Sequence, residues 1–544
     1  MRKKIVFISD FFSDHGVGGA ELNDTEIIEY FSSYTTVSKI QSHLVKEQFL
    51  DENKDCFYII SNFCNLSYKA KEILIDKLDY IIYEHDHKYL NTRNPAEYRN
   101  YKADVSKIIN YFFYKNAKNI FCQSDFHEKI LKLNLEGLDN IINVNGNLWS
   151  LETLKKIEQL AAVKKNNKCS IMNSPIAHKN TNKCIDHCNN NDLDFVLVED
   201  GDYISFLNKL GANDTFVFLP STPETLSRLV VEARMMNMKI ITNDLIGATK
   251  EDWFSLKGVD LVEYMRSKRD EVFNILEKII EKKYETEEKP LVSILSTFYE
   301  GEEFLEGFLK NITEQTMFDK CELVLVDTGS PGKESEIVKN YTKKHKNIKY
   351  IRYNERYTPS KGTRLAIQNS SGKYLNFACL DDRKSKDSIE TLFNELNKNE
   401  DIDLVYGQVL QTDKANETFE NNSSDGTKFD HSTYDFSRVN MIKCLPGPMP
   451  MWKRSMHEKN GFFAEAEDGG SAGNDWEMWL RSVENGAVFK KIDQPVGLYM
   501  TGGRSQQKNN IAQRRHEAKI FFKYSHMFGY NYKKFKPYFD QFTE

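Results

Sequence analysis

The pair Asp381-Asp382 is the arrangement in this sequence whose chemistry is easiest to name. It ends the stretch Gly372–Asp382, which begins with a turn glycine and continues through apolar and aromatic residues that suit a buried strand. In an open α/β sheet, ligands bind at the carboxyl ends of the strands. Two carboxylates at such an end predict a site for a hard divalent cation and for the phosphates that it would carry. The alternative is a strand end that carries two solvated acids.

The residues before this pair alternate between strand and helix patterns. Buried-strand patterns cover Leu291–Thr297, Glu322–Val326 and Ile348–Tyr353, and helix patterns cover 302–316, Glu334–His345 and Lys361–Asn369. Pro290 breaks the charged helix pattern of Leu276–Lys289, which places a domain boundary there. The alternation predicts an α/β sheet that presents the two acids at one of its edges.

The first half of the chain alternates in the same way. Strand patterns cover Ile5–Ser9, Cys56–Ile60, Tyr80–Tyr83, Asn119–Cys122, Cys169–Met172, Asp194–Val198, Phe216–Leu219 and Ile240–Thr242. A helix pattern over Leu151–Lys164 and the polar run that follows it indicate a boundary between two lobes. Gly18-Gly19 lies between the first strand and a helix pattern over Ala20–Phe31. Such a loop presents backbone N–H groups to an anion, although glycines also simply make turns.

Length and composition limit the possible classes of protein. The chain has 544 residues, which predicts roughly three to four domains or lobes. With 40% hydrophobic and 28% charged residues, the composition is that of a soluble globular protein, and a net charge of −6 gives no general reason to expect nucleic-acid or membrane binding. No apolar run approaches the length of a membrane span. The odd number of scattered cysteines, nine, is typical of reduced thiols, so we expect a cytoplasmic protein.

The motifs of the first half resemble the retaining GT-B glycosyltransferases of family 4. The resemblance rests on Gly18–Glu21 after the first strand, on His178–Asn180, and on Glu224 and Glu232, which are separated by seven residues. It implies two Rossmann-like lobes, 1–165 and 166–288, with Glu224 as a catalytic residue. The residues that it implies for donor binding are Gly18, Gly19, Lys179 and Glu232.

This half also departs from the family pattern. The arginine that the family places upstream of the lysine is missing from Met172–Pro175, and Thr225 and Ser227 replace glycines that usually follow the first glutamate. A GT-B shell without catalysis is therefore the alternative for this half.

The second half resembles the GT-A fold of glycosyltransferase family 2 from Pro290 to about Tyr499. The motifs that carry the resemblance are Thr297–Glu300, Asp327, Leu380–Asp382, Gly447–Ser455 and Asn474–Arg481. The resemblance implies a GT-A domain over 289–505, a nucleotide-sugar donor such as a UDP- or GDP-sugar, and a divalent metal, Mn²⁺ or Mg²⁺. The implied donor-binding residues are Thr297, Phe298, Tyr299, Glu300, Asp327, Lys361, Arg364 and Asp381. The implied metal ligands are Asp381 and Asp382, and the implied acceptor-side residues are Trp452, Trp476 and Glu477.

The chemistry of glycosyl transfer suits these residues. A cation held by Asp381 and Asp382 would neutralise the charge that develops on the leaving diphosphate, and Lys361 or Arg364 could add a positive contact. The acceptor hydroxyl must lose its proton, and Asp475 fits the family's catalytic base. The structural alternative for Asp475 is an N-cap of the following helix.

Three positions depart from the family 2 pattern, and two of them, Cys379 and Asn474, together with the missing arginine of the first half, motivate an alternative hypothesis. Cys379 replaces the first acid of the metal motif, Asn474 replaces a glutamate, and Gly502-Gly503 stands where many members have a histidine. The predicted function is a glycosyltransferase, metal-assisted and inverting in this half and with a second, retaining transfer possible in the GT-B half. An inactive scaffold or binding protein on the same folds is the alternative.

The tail, 506–544, alternates basic and aromatic residues and is predicted to be helical. Such a surface could bind a nucleic acid, which would make the protein a nucleic-acid-modifying glycosyltransferase. The alternative is a helix whose aromatic residues pack on the domain while its lysines face solvent. A glycan or another compound with a free hydroxyl remains open as the acceptor.

Overall fold

The computed structural model describes residues 3–13, 18–284, 289–465, 473–502 and 511–543. The chain divides into two compact units. The first unit comprises Met1–Ala103 and Ile108–Thr286, and the second comprises Asp104–Lys107 and Glu287–Glu544. Within the described ranges, none of the helices combines the length and the apolarity that crossing a bilayer requires.

The first unit begins with a parallel sheet. Its strands are β1 (Ile5–Ser9), β2 (Val37–Gln41), β3 (Phe57–Ile60), β4 (Tyr80–Tyr83), β5 (Ile120–Cys122) and β6 (Ile141–Asn143). Their order across the sheet is β2-β1-β3-β4-β5-β6. The accompanying helices are α1 (Gly19–Ser32), α2 (Glu47–Glu52), α3 (Tyr68–Lys77), α4 (Tyr111–Asn116), α5 (Asp125–Asn134) and α6 (Leu151–Ala161). Every residue of β1 and β4 is buried, as expected for a parallel sheet with helices on both faces.

A second parallel sheet completes the first unit. Its strands are β7 (Asn166–Met172), β8 (Phe195–Val198), β9 (Asn213–Phe218) and β10 (Lys239–Thr242), in the order β10-β9-β7-β8. Its helices are α7 (Thr181–Asn190), α8 (Tyr203–Leu210), α9 (Arg228–Met235) and α10 (Gly258–Glu281). Side-chain caps start several helices of the unit: Ser67, Ser124, Ser150 and Asp202 each accept a hydrogen bond from the backbone N–H three residues later.

The second unit is built around a mixed sheet. Its strands are β11 (Val292–Phe298), β12 (Cys321–Thr328), β13 (Ile348–Tyr353), β14 (Tyr374–Phe377), β15 (Arg383–Lys384), β16 (Leu404–Thr412), β17 (Met451–Lys453) and β18 (Phe489–Met500). Their order is β13-β12-β11-β14-β17-β16-β18-β15. The first four strands run parallel, and β17 runs antiparallel to both β14 and β16.

The helices of the second unit pack on this sheet and continue into the tail. They are α11 (Glu302–Thr313), α12 (Glu334–Thr342), α13 (Pro359–Gln368), α14 (Ser388–Lys398), α15 (Ser455–Asn460), α16 (Asn474–Glu484), α17 (Ile511–Lys523) and α18 (Tyr530–Phe539). The α/β class that the alternating patterns predict is confirmed. One helix prediction was misplaced: the pattern over Leu276–Lys289 is the end of the long helix α10, which stops at Glu281.

Candidate active site

The first unit brings Lys179 and Glu224 together. Lys179 Nζ lies 2.8 Å from Glu224 Oε1, and both side chains keep some exposed surface. Glu224 lies in the loop between β9 and α9, where its backbone N–H donates to the carbonyl of Leu245 over 2.8 Å. The residues that the resemblance implies for phosphate contact and for catalysis are therefore an ion pair at the protein surface.

Glu232 lies elsewhere than expected. It is fully buried on helix α9, and its Oε1 accepts hydrogen bonds from Trp149 Nε1 at 2.8 Å, from Arg228 Nε at 2.8 Å and from the Tyr203 hydroxyl. Because none of Glu232 is exposed, its carboxylate is not open to a donor in this conformation, and its donor-binding role stays a prediction. Instead, Glu232 ties α9 to α8 and to the segment that precedes α6.

Gly18 and Gly19 stand at the start of helix α1, as predicted. A Cβ at Gly18 would lie 2.3 Å from Glu21 Oε2, so the absence of a side chain lets the Glu21 carboxylate fold back over the helix start. There the carboxylate accepts backbone hydrogen bonds from Gly18 and from its own residue. Within the described residues, Glu21 therefore occupies the position at which the glycine loop was expected to bind an anion.

In the second unit, helix α13 packs closely on the end of β11. A Cβ at Gly362 would lie 2.1 Å from Thr297 Oγ1, so only glycine permits this approach. Thr358 caps the helix by accepting from the Lys361 N–H over 3.2 Å, and the Lys361 ammonium lies 3.5 Å from the centre of the Tyr357 ring. Thr297 and Lys361, two predicted donor contacts, are thus positioned by one helix.

The loop after β11 has a fixed conformation. Glu300 has a positive φ of 55°, and its N–H donates to Ser330 Oγ over 3.1 Å. Phe298 ends the strand and is buried, whereas the Tyr299 ring lies 4.4 Å from the Arg356 guanidinium. Through Ser330 the loop is thereby joined to the chain that follows β12, the strand that carries the predicted donor-binding acid as its penultimate residue.

That acid, Asp327, is fully buried and hydrogen-bonded on both oxygens. Oδ1 accepts from the Ser330 N–H at 2.8 Å, and Oδ2 accepts from the Tyr350 hydroxyl at 2.6 Å and from Arg352 Nη1 at 2.7 Å. In this conformation Asp327 holds the loop at the end of β12. Contact with a nucleotide base would require Tyr350 or Arg352 to exchange partners.

Cys379, Asp381 and Asp382 form a compact group after β14. One ligand atom from each, the thiol sulfur and two carboxylate oxygens, lies within 4.8 Å of the others. Asp382 is buried, and its Oδ1 accepts from the Met500 N–H over 3.1 Å. Burial and the neighbouring charge of Asp381 raise the pKa of Asp382 well above its usual range. The two predicted metal ligands are thus brought together, with Cys379 beside them.

This group fits a divalent cation. Asp382 Oδ2 is buried and has no hydrogen-bond partner in the part of the chain that the structure describes. A buried carboxylate oxygen without a donor is costly, and a cation would satisfy it. The Cys379 thiol would add a softer ligand to the two carboxylates.

One basic residue before this group in the sequence is a predicted donor contact, and one after it is not. Arg364 on α13 pairs with Glu465, Nη2 to Oε1, over 3.2 Å. Lys384 is buried and donates to the carbonyl of Phe377 over 2.8 Å, and burial lowers its pKa to about 8. Lys384 was not predicted as a site residue, because nothing in its sequence context distinguishes it from a surface lysine.

Asp475 lines a cavity of about 780 Å³, hereafter the Asp475 cavity. Its Oδ2 accepts from the Cys444 thiol over 3.4 Å, and its Oδ1 accepts from the Trp476 N–H over 2.8 Å. Helix α16 begins at Asn474, so Gly473 holds the cap position. The alternative of Asp475 as an N-cap is therefore wrong, and its carboxylate faces the cavity from the first turn.

The wall of the Asp475 cavity reaches the end of the strand that precedes the cation group. The crowded surroundings of the Cys379 thiol raise its pKa, and the charges of Asp382, Asp381 and Asp475 add to this effect. The wall of the Asp475 cavity also includes Phe377, two residues before Cys379. The acid that could accept a proton and the group that could hold a cation therefore share one region.

Two of the predicted acceptor-side residues are structural. Trp452 is fully buried, and its Nε1 donates to His457 Nε2 over 3.0 Å. Glu477 is buried in a cluster with Arg481, Lys523 and Tyr524, at 2.9, 3.0 and 2.8 Å. Although burial acts to raise it, the charges of Arg481 and Lys523 hold the pKa of Glu477 at about 2. Neither side chain is part of the lining of the Asp475 cavity, so their acceptor-side role stays a prediction.

Trp476, the third predicted acceptor-side residue, does line the cavity. Its ring is mostly buried, stacking on Phe528 and Phe539 with centroid distances of 6.3 and 6.4 Å, and its Nε1 donates to the carbonyl of Met441 over 2.6 Å. Asn474 is held by Ser360 Oγ at 2.7 Å and by His516 Nε2 at 2.9 Å. The tail thus fixes the first turn of α16.

Comparison with known proteins identifies part of the second unit. Residues 293–461 match Glycosyl transferase family 2. An uncharacterized glycosyltransferase of Methanocaldococcus jannaschii is 24% identical over 229 residues, which are 42% of this chain and 77% of that protein. The uncharacterized glycosyltransferase EpsJ of Bacillus subtilis is 32% identical over 116 residues, which are 21% of this chain and 33% of EpsJ. The solved mannosyltransferase of Pyrobaculum calidifontis, in complex with GDP-Man and Mn²⁺, is 18% identical, covers 49% of this chain and 71% of its own, and gives a TM-score of 0.34.

The family 2 match includes Asp327, Asp381 and Asp382 and ends before Asp475. The match supports a family 2 glycosyltransferase domain within the second unit, and glycosyl transfer is the chemistry that the match and the relatives support.

Sequence reasoning missed several residues of the Asp475 cavity. These include His431 and Cys444, which precede α15, and Arg514, Glu517 and Tyr538 on the tail helices. Burial and the ammonium of Lys443 lower the pKa of His431, so its ring is neutral at pH 7. None of these residues belongs to a motif, and the basic and aromatic alternation of the tail was the only signal that pointed to that region.

Proposed function

We propose that the second unit transfers a sugar from a UDP- or GDP-sugar to an acceptor hydroxyl, with the aid of a divalent metal and with inversion at the anomeric carbon. The observation that carries this proposal is the group of Cys379, Asp381 and Asp382 after β14, the strand whose last residue, Phe377, shares a cavity wall with Asp475. A cation held by that group would suit the departing diphosphate, and Asp475 suits the attacking hydroxyl.

Cation binding, proton acceptance and donor contact are assigned to different residues of the second unit. Asp381, Asp382 and Cys379 would hold the cation, which supplies charge neutralisation to the diphosphate when it is bound. Asp475 accepts the proton of the acceptor hydroxyl from the cavity side, so that the hydroxyl oxygen attacks the anomeric carbon opposite the leaving group. The Cys444 thiol and the Trp476 N–H orient the Asp475 carboxylate. Thr297 and Lys361, held by α13, are proposed as donor contacts.

A screen of nucleotide sugars tests this proposal. Purified protein is incubated with UDP- and GDP-sugars and with Mn²⁺ or Mg²⁺, and release of the free nucleotide is measured. We expect slow metal-dependent hydrolysis of at least one donor and faster release with Mn²⁺. Absence of hydrolysis, together with absence of a thermal shift with UDP or GDP plus Mn²⁺ at millimolar ligand, would instead favour the scaffold reading.

We also propose a second, retaining transfer in a GT-B-like first unit. The 2.8 Å contact between Lys179 and Glu224 supports it, because the two residues that the resemblance implies for phosphate binding and catalysis are neighbours. The buried Glu232 and the position of Glu21 count against a preformed donor site. Isothermal titration of UDP and GDP into wild-type protein and the Lys179→Ala variant tests this unit.

A further inference from the structure

The walls of the Asp475 cavity come from both the domain and the tail. Helix α17 contributes Gln513, Arg514 and Glu517, and helix α18 contributes Phe535, Tyr538 and Phe539. The latter three residues lie at i, i+3 and i+4, so they share one face of α18. The tail helices are therefore part of the cavity and do not simply cover the domain.

Buried ring stacking and hydrogen bonds fix the tail helices to the domain, so they can form a wall of the cavity. Phe521 of α17 is fully buried and stacks on Phe539 of α18 with a centroid distance of 4.3 Å. Lys523 and Tyr524 bind Glu477 of α16, and Asn531 Nδ2 donates to the carbonyl of Val439 over 2.8 Å. Since the aromatic core of the tail is buried, those rings are not available for stacking on nucleic-acid bases.

The cavity offers ring faces together with polar groups. Its aromatic lining includes Phe377, Phe429, Trp476, Tyr499, Phe535 and Tyr538. The face of an aromatic ring carries negative charge density and attracts the polarised C–H groups of a sugar ring. Polar groups placed between such rings give orientation to a bound molecule by hydrogen bonding. A sugar ring, with apolar faces and a hydroxyl edge, matches this alternation.

The charges of the lining balance each other. Arg514 pairs with Glu517, Nη1 to Oε2, over 2.9 Å, and Lys443 pairs with Asp430. Asp475 has no cationic partner among the described residues. The described lining therefore has no excess positive charge, whereas a phosphodiester polymer needs unpaired cations for binding. Its volume, about 780 Å³, lies within the range of sites for drug-sized ligands and exceeds the needs of one hexose.

We propose that the Asp475 cavity is the acceptor subsite for the end of an uncharged glycan. Tyr538 of α18 stacks on a sugar ring, and the Arg514–Glu517 pair of α17 forms hydrogen bonds with its hydroxyls. The proposal rests on the proposed glycosyl transfer and names its acceptor class. Tyr538 is 41% exposed, and its ring is the most accessible aromatic surface that the tail contributes to the cavity.

The test is a binding experiment on the full chain with defined probes. Neutral disaccharides (cellobiose, maltose, lactose and chitobiose), glucose 6-phosphate and a single-stranded DNA oligonucleotide are titrated separately, in the presence of UDP or GDP and Mn²⁺, and followed by saturation-transfer NMR. We expect at least one neutral disaccharide to bind in the millimolar range and to bind more tightly than glucose 6-phosphate or DNA. Tighter binding of either charged probe, or no binding of any neutral disaccharide, would overturn the proposal.

Single substitutions test whether disaccharide binding depends on the residues of the acceptor subsite. Tyr538→Ala should weaken disaccharide binding by about tenfold, Tyr538→Phe should restore it, and Glu517→Gln should weaken it by breaking the pair with Arg514. Tyr530→Ala, on the same helix but 73% exposed and outside the cavity, is the matched control and should change nothing. Equal effects of Tyr538→Ala and Tyr530→Ala would contradict the assignment.

The two proposals fail in different ways. Donor hydrolysis and nucleotide binding are measured on every variant, and both should stay at the wild-type level in the control Tyr530→Ala. If donors bind and hydrolyse but no neutral disaccharide binds, the acceptor assignment is wrong while the transferase stands. If donors neither bind nor hydrolyse, the proposed transfer itself is wrong.

Discussion

Asp475 contacts the cavity through a carboxylate that accepts only from a thiol and a peptide N–H among the described residues. We expect Asp475→Asn to lower turnover by roughly a hundredfold or more, because loss of a general base costs on the order of 10²–10⁴ in rate. The amide is isosteric, so donor binding should persist. Turnover and isothermal titration of the donor are measured side by side, and near-normal turnover would remove Asp475 from the base position.

Asp382 is a proposed ligand of the cation that would neutralise charge on the leaving diphosphate. In Asp382→Asn the buried oxygen that lacks a donor becomes part of a neutral amide, so the cation should bind more weakly. We expect nucleotide binding to lose its dependence on Mn²⁺, which titrations of UDP or GDP with and without Mn²⁺ would show. If Asp382→Asn and Asp475→Asn weaken donor binding equally, the division of roles between them is wrong.

Glu251 provides a pH test in the first unit. It is 5% exposed, its Oε1 accepts from the Asp125 N–H over 2.6 Å, and burial raises its pKa to about 7. The folded state therefore keeps its proton to higher pH than the unfolded state does, so stability from this group is lost as pH rises from about 4.5 to 7. Glu251→Gln should unfold at a higher urea concentration than wild type at pH 8 and show little difference at pH 4.5. An unchanged midpoint at pH 8 would contradict the assigned shift.

At the level of single residues, the sequence identified residue types but could not show burial. Glu224 and Glu232 are separated by seven residues, the first in the loop before α9 and the second on α9. Nothing in that spacing shows that Trp149, Tyr203 and Arg228 enclose Glu232, because these partners come from distant parts of the chain. The same holds for Glu477, whose partners Lys523 and Tyr524 follow 46 and 47 residues later.

In the first sheet, the buried strands were predictable and the edge strands were not. The runs Ile5–Ser9 and Tyr80–Tyr83 were predicted with their observed bounds, because a continuous apolar or aromatic run is typical of a strand inside a sheet. Strands β2 and β6 were missed. Both lie at the edges of the first sheet and are only partly buried, so their sequences lack that signal.

The contact between α13 and β11 gives a stability prediction for an element. In Gly362→Ala the added methyl group would overlap Thr297 Oγ1, so helix and strand must separate. We expect a loss of about 1–3 kcal/mol in the free energy of unfolding, measured by urea denaturation. Gly201→Ala is the control, because a Cβ there meets nothing within 4 Å. Equal stability of the two variants would show that α13 moves without cost.

On the scale of the whole molecule, a substitution in one unit should abolish the activity of that unit alone. Lys179 and Glu224 belong to the first unit, and Asp475 belongs to the second. We expect Lys179→Ala or Glu224→Ala to abolish one transfer activity and to leave the Asp475-dependent activity intact. Product analysis by mass spectrometry, with Asp475→Asn as the reciprocal variant, measures both. If neither first-unit substitution changes any activity, the first unit is a shell.

The wall that helices α17 and α18 contribute to the Asp475 cavity has a consequence for engineering. The proposed donor and metal residues lie between Thr297 and Asp382, whereas this wall lies between Gln513 and Phe539, beyond the segment that matches family 2. Acceptor preference can therefore be exchanged as a cassette. A chimera that carries a different pair of tail helices, with the partners of Glu477 and the stacking partners of Trp476 retained, should glycosylate a new compound while it continues to use the same nucleotide sugar.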